Sequence, residues 1–443
     1  MTPTSRIPRL LLYFATTFVT SLYMFPFVVK YFPVANTKMI LAAISLILLL
    51  MENLSDDRRF TISKDFLTIS FFASLVGLVS LISITYNRTN DREFVDYIMS
   101  AWVWMGGAYT VIRLIKRVHG TVSLELLGNY LVSVCVFQCI LSYLFVLFPD
   151  FNDTVGSIYG GDQAYMIDGR GRLHGLGCAL DPAGLRFSAT LIILAGLICN
   201  RPKESPGYTL YLYVLSFFII SLFGNMISRS TTVGMAISLG FMAFHTCFIP
   251  SDTLMKGKLW ITFFVIATIG TSIVAFFYNT NEEFHDWLRF GFEGFFSLVE
   301  EGSWNVSSNE ILKSMVVYPE TTKTWIIGDG YINANAWDPY YLGEHISIGY
   351  YMDTDIGYLR YIFYFGIIGL VTFGTVFLVS AVICSRAYPK YTLMFLLMML
   401  SNYIGWIKVS TDIFCMFAPF LVLIFQKQRE LYYENRVLHP LHL

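Results

Sequence analysis

The chain has 443 residues, 55% of them hydrophobic and 14% charged, with a formal net charge of −1. Soluble domains carry about 25% charged residues, so a large soluble core is excluded, and near-neutrality excludes a global field for nucleic acid. The seven cysteines contain no CxxC pair, which supports neither a zinc site nor a disulfide framework.

Charges fall in short clusters between apolar runs of roughly 17 to 25 residues, the length that crosses ~30 Å of hydrocarbon. Twelve such runs are predicted as spans: 9–29, 34–51, 66–85, 96–115, 122–148, 184–199, 209–225, 231–248, 259–278, 357–384, 391–406 and 411–426. The first has no small-residue cleavage site and is longer than a signal peptide's apolar region, so it is expected to remain as a helix. The expectation is an all-α integral membrane protein of about 12 transmembrane helices, with residues 1–443 forming a single polytopic membrane domain. Neither an internal repeat nor a low-complexity linker divides it.

Lys and Arg concentrate in loops that remain cytoplasmic. Arg6, Arg9, Arg58, Arg59, Lys64, Arg113, Lys116, Arg117, Arg201 and Lys203 fall on one side, as do Lys256, Lys258, Arg386, Lys390, Lys427, Arg429 and Arg436. Both termini are therefore predicted cytoplasmic, and the two long loops, 149–183 and 279–356, periplasmic. The second loop, read as a periplasmic subdomain, opens with an amphipathic stretch. Phe284, Trp287, Leu288, Phe292, Phe296 and Leu298 oppose Glu282, Glu283, Asp286, Arg289 and Glu300, a pattern suited to the membrane surface. Ser307 and Glu310 have capping-box spacing, which predicts a short helix from Ser307.

Three segments carry residues capable of chemistry. Arg170, Arg172 and Arg186 cluster with His174, Asp181 and several glycines at the end of the first long loop. Guanidinium forks suit phosphate oxygens, and glycines let backbone amides approach an anion. The plainer alternative pairs Arg172 with Asp168 or Asp181 to pin the loop. Ser228–Arg229–Ser230 forms a tight polar link between two spans, where arginine either faces a wet cavity or snorkels to the interface. The third segment holds Gly328–Asp329–Gly330, His345, Asp353, Asp355 and Arg360. Asp355 lies near a helix N-terminus, where the dipole favours a carboxylate. It is either a cap or a base, and His345 is either a proton carrier or a surface residue. Metal binding by Asp353 and Asp355 is not expected.

Taken together, these segments resemble the O-antigen ligase and polysaccharide polymerase superfamily, and within it the O-antigen polymerase (Wzy) family. The matching features are Arg172, Gly175, Asp181 and Pro182; Ser228–Arg229–Ser230; and Gly328–Asp329–Gly330 leading to Asp355 and Gly366–Ile367–Ile368–Gly369. Their order covers most of the chain. The resemblance implies a glycosyltransferase that needs neither metal nor cofactor and uses undecaprenyl-diphosphate-linked oligosaccharides on the periplasmic face of the bacterial inner membrane. It also implies a chain-length regulator and a flippase as possible partners. Arg170, Arg172, Arg186, Arg360 and Asp353 would hold diphosphate or sugar, with Asp355, His345 and Arg229 in catalysis. The ligase branch commonly has histidine where Asp355 stands, which favours a polymerase. Trp304, Tyr331, Trp337, Tyr340, Tyr341, Tyr350 and Tyr351 suit either sugar stacking or packing of the loop on itself. The alternatives are ligation of polysaccharide to an acceptor and, from another class, a flippase.

Overall fold

The structure is a computed structural model that describes residues 6–55, 62–160, 172–202, 204–248, 253–333 and 349–438. Helix α1 (Arg6–Met24) ends short of the predicted boundary at 29, because Phe25 precedes Pro26 and a residue before proline is steered out of the helical region. The β-branched and aromatic residues that follow form an unpredicted antiparallel ribbon, β1 (Val28–Val29) with β2 (Phe32–Asn36). Then come α2 (Thr37–Ser55), α3 (Lys64–Asn87), α4 (Tyr97–His119) and α5 (Leu124–Leu147). A short α6 (Pro149–Gly156) starts on a proline, whose missing N–H costs nothing there.

Helix α7 (Leu180–Cys199) begins before the predicted span at 184, so both Asp181 and Arg186 are helical. It is followed by α8 (Tyr208–Ile227), α9 (Thr231–Phe248) and α10 (Thr253–Thr280). The amphipathic stretch is two helices, α11 (Glu282–Gly291) and α12 (Glu293–Glu300), broken at Phe292. Helix α13 (Ser307–Ser314) starts where expected, but Val306 occupies the cap and Ser307 is the first helical residue, so the predicted capping box is corrected. The chain ends with α14 (Thr322–Ile327), α15 (Gly357–Ala387), α16 (Thr392–Gly405) and α17 (Phe414–Leu438).

The protein is therefore a multi-pass, all-α membrane protein apart from the small ribbon. Among the described residues, 8 helices are long and apolar enough to cross a bilayer: α3, α4, α5, α7, α8, α9, α15 and the Gly257–Thr280 part of α10. The other four predicted runs are also helical, as α1, α2, α16 and α17. At 1.5 Å per residue, the 14 residues of α16 reach only ~21 Å.

The chain divides into two compact units, one formed by Met1–Leu41 with Thr110–Asn305 and the other by Ala42–Tyr109 with Val306–Leu443. The first centres on α7, in which every residue from Ala183 to Ile198 except Arg186 is buried. Helix α9 reaches α7 closely because Gly234 lies directly against the Ser188 backbone, the small-residue contact that lets helices approach in lipid. Ser188 Oγ completes the junction, accepting from Gly234 N (3.0 Å) and donating to Ser230 O (2.8 Å).

In the second unit α15 packs against α3, α14, α16 and α17 and is broken at Phe365–Gly366, where Gly366 takes φ +68° and ψ −173°. A break inside a span frees backbone carbonyls that lipid cannot satisfy. Here Asp329 N donates to Phe363 O (2.5 Å), Gly330 N to Tyr364 O (3.0 Å) and Ser83 Oγ to Tyr364 O (2.7 Å). The Asp329 carboxylate is held by Lys323 (2.5 Å) and Thr324 (2.8 Å). The Gly–Asp–Gly segment is thus the plug that closes the broken span.

Candidate functional site

In the first unit, several elements converge at the start of α7. Asp181, in its first turn, accepts hydrogen bonds from Ser228 Oγ (3.2 Å) and Ser230 Oγ (2.5 Å), which fixes the turn joining α8 to α9. Asn225 secures that turn from below, donating to Ser221 O (2.7 Å) and accepting from Thr232 Oγ1 (2.7 Å). Arg229, between the two serines, is thereby held in place with its side chain 12% exposed. Its guanidinium pairs with Glu293 at the start of α12 and lies over the Phe290 ring, 4.3 Å from the centroid. Burial and the Arg172 guanidinium push the Arg229 pKa down, and Asp181 opposes them.

Arg172 reaches the same ring, 4.6 Å from its centroid. Its loop is pinned by Gln138, which donates to Leu176 O (2.8 Å) and accepts from Leu176 N (2.9 Å). The hydroxyl of Tyr159 accepts from Gly177 N (2.7 Å). His174 bonds Asn152 (3.0 Å), and burial lowers its pKa. Helix α11 is seated on the end of α8 through Gly291, where an added Cβ would lie 3.0 Å from the Asn225 backbone. That seating delivers Phe290 and Glu293 to the arginines. Arg186 lies further along α7, with its guanidinium 5.7 Å from the Phe25 ring centroid. The unit thus unites Arg172, Arg229, Asp181 and Glu293, with two cations sharing one aromatic ring.

The same unit contains an apolar groove of ≈ 1440 Å³ between α1, α5, α6 and α8, lined by Phe18, Ile140, Phe151 and Leu212 among others. Its lining also includes Leu176 and Phe27, which belong to the loop of Arg172 and to the segment of Phe25.

The predicted residues from Gly328 onward belong to the second unit. Arg360, in the opening of α15, donates to Asp355 (3.4 Å), Asn333 Oδ1 (2.9 Å) and Ile332 O (3.2 Å), and lies 4.2 Å from the Tyr350 ring centroid. The helix cap is Ile356, so Asp355 acts on Arg360 from just outside the helix. Asp353 adopts φ +51° beside Met352 at φ +56°. Tyr331 and Tyr351 are buried and stack at 5.3 Å, so they pack the loop, whereas Trp304 and Tyr350 remain exposed. Arg170, His345, Asp168, Trp337, Tyr340 and Tyr341 lie outside the described residues.

Sequence reasoning missed Glu293 and Phe290. The only local signal was a carboxylate next to the apolar stripe of an amphipathic stretch. No known protein family, curated protein or solved structure matches the chain.

Proposed function

We propose that the chain is a polysaccharide polymerase of the O-antigen polymerase kind, which joins undecaprenyl-diphosphate-linked oligosaccharide repeat units into a long glycan. The reading rests on one observation: Arg172 and Arg229 converge on Phe290 in the same unit as an apolar groove whose lining includes Leu176, from the loop of Arg172. Paired guanidiniums suit a diphosphate, and an apolar groove suits its prenyl tail.

In this reaction the acceptor hydroxyl oxygen attacks the anomeric carbon of the growing chain. The bond from that carbon to the diphosphate oxygen breaks, and the lipid diphosphate leaves with the electron pair. The arginines stabilise the departing charge. The hydroxyl proton passes to a general base. Arg360 positions the loop that carries Asp355 and Asp353. Twelve spans, cytoplasmic termini and a periplasm-facing site complete the reading, with no metal or cofactor required. A chain-length regulator and a flippase are the expected partners.

The deciding experiment is a gel of surface glycolipid from a strain lacking the gene. A polymerase loses the ladder of long chains and keeps a single capping unit, whereas a ligase loses all attached sugar. A normal ladder rules out both. The groove is tested by Ile140→Trp, which is expected to raise KM for a full-length lipid donor roughly tenfold, about 1.4 kcal/mol. A donor whose prenyl chain is too short to occupy the groove is expected to be unaffected.

A further inference from the structure

Two guanidiniums and two carboxylates meet at the start of α7, so an anion entering there must replace a carboxylate. The two acids differ in how they are held. Asp181 is bound by two serine hydroxyls and is carried on a deeply buried helix. Glu293 has a side chain that is 33% exposed, and it opens α12, which buries only Gly294 and Ser297. Val299 of the same helix is 85% exposed. The helical path breaks at Phe292, immediately before Glu293, while α11 is anchored on α8 through Gly291. Beyond the burial of Gly294 and Ser297, α12 is held by the Arg289–Glu300 pair, by Phe296 stacked on Tyr278 and by Ser297 bonded to Asn305, and an exposed ion pair of this kind adds little to stability. Once those contacts part, helix α12 can swing at Phe292 while Phe290 keeps its place beneath the arginines.

We propose that Glu293 is a resident substitute for the ligand's phosphate: it holds Arg229 while the site is empty and is displaced when a diphosphate binds. This assignment rests on the diphosphate reading above. Glu293 then sets which anions enter. A singly charged anion gains too little from Arg229 to expel a carboxylate, whereas a diphosphate engages both guanidiniums at once. It also gives α12 two positions coupled to occupancy.

The test uses the full chain in detergent, titrated with inorganic pyrophosphate by calorimetry at low salt. Glu293→Gln and Glu293→Ala are each expected to bind pyrophosphate at least tenfold more tightly than the parent, and Arg229→Ala to lose binding. Independently, a nitroxide on Val299→Cys, in a Cys247→Ser background, is expected to gain mobility when pyrophosphate is added. If Arg229→Ala loses binding but the Glu293 variants bind no more tightly and the nitroxide is unmoved, the substitute role is overturned and the anion site stands. If Arg229→Ala binds like the parent, the diphosphate reading fails as well.

Discussion

Replacing Arg229 with alanine is expected to abolish long-chain polysaccharide while the protein still inserts and melts normally, leaving cells that display a single repeat unit. Arg229 is fixed by the Asp181–serine hydrogen bonds around its turn, and its guanidinium is mostly enclosed. A preorganised cation of this kind acts where charge develops on the leaving diphosphate. Losing one such donor costs on the order of 10²–10³ in kcat. Arg172→Ala is expected to act in the same direction, since it shares the Phe290 ring. Arg229→Lys should fall between, because lysine keeps the charge but loses the planar fork and the stacking on Phe290. In vitro turnover with a lipid-diphosphate donor reads these effects. Normal-length chains from both alanine variants would end the diphosphate-clamp idea.

Gly366→Ala is expected to unfold the second unit or sharply lower its melting temperature. At φ +68° and ψ −173°, Gly366 occupies a backbone region essentially reserved for glycine, where another residue costs about 1–3 kcal/mol. A Cβ there would also collide with the Ile326 and Ile327 backbone, which cannot yield without dismantling the plug. Gly328, at φ +78° and ψ −174°, is its counterpart, with an added Cβ 2.5 Å from the Tyr364 carbonyl. Either substitution separates the Gly–Asp–Gly segment from the carbonyls it satisfies. Those carbonyls have no water to turn to in a bilayer. Gly270→Ala in α10 is the control: nothing lies within 4 Å of its added Cβ. It is expected to be neutral or to stabilise by up to about 1 kcal/mol through helix propensity. Thermal melting of purified protein distinguishes the two classes.

Where the helices lie was readable from hydropathy, because span length and apolar composition are local properties of the chain. Each of the twelve predicted runs holds a helix, and among the described residues 8 helices meet the length and hydropathy expected of a span. Boundaries shifted where a local rule competed with hydropathy, as at Pro26, where the first helix gives way to a ribbon. The early start of α7 had a different origin: the serine turn between α8 and α9 gives Asp181 two hydrogen-bond partners inside the fold. Arginine in the link at 229 and in the loop at 172 stood out in sequence, because a cation beside an apolar span needs a reason to be there.

Glu293 carried no such mark. Among the other acids of an amphipathic stretch it is one more polar residue, and only the seating of Gly291 on α8 aims it at Arg229. Arg360 was visible as a buried-span cation, yet its partners Ile332 and Asn333 lie far back in sequence and follow from how the loop folds. By itself the sequence determined an all-α membrane protein and made its arginines at the span ends stand out, since burial in lipid selects residue type position by position. The tertiary structure alone decided which cations meet, which carboxylates hold them and why the Gly–Asp–Gly segment exists. Those outcomes depend on pairing groups distant in the chain, and no local preference encodes them.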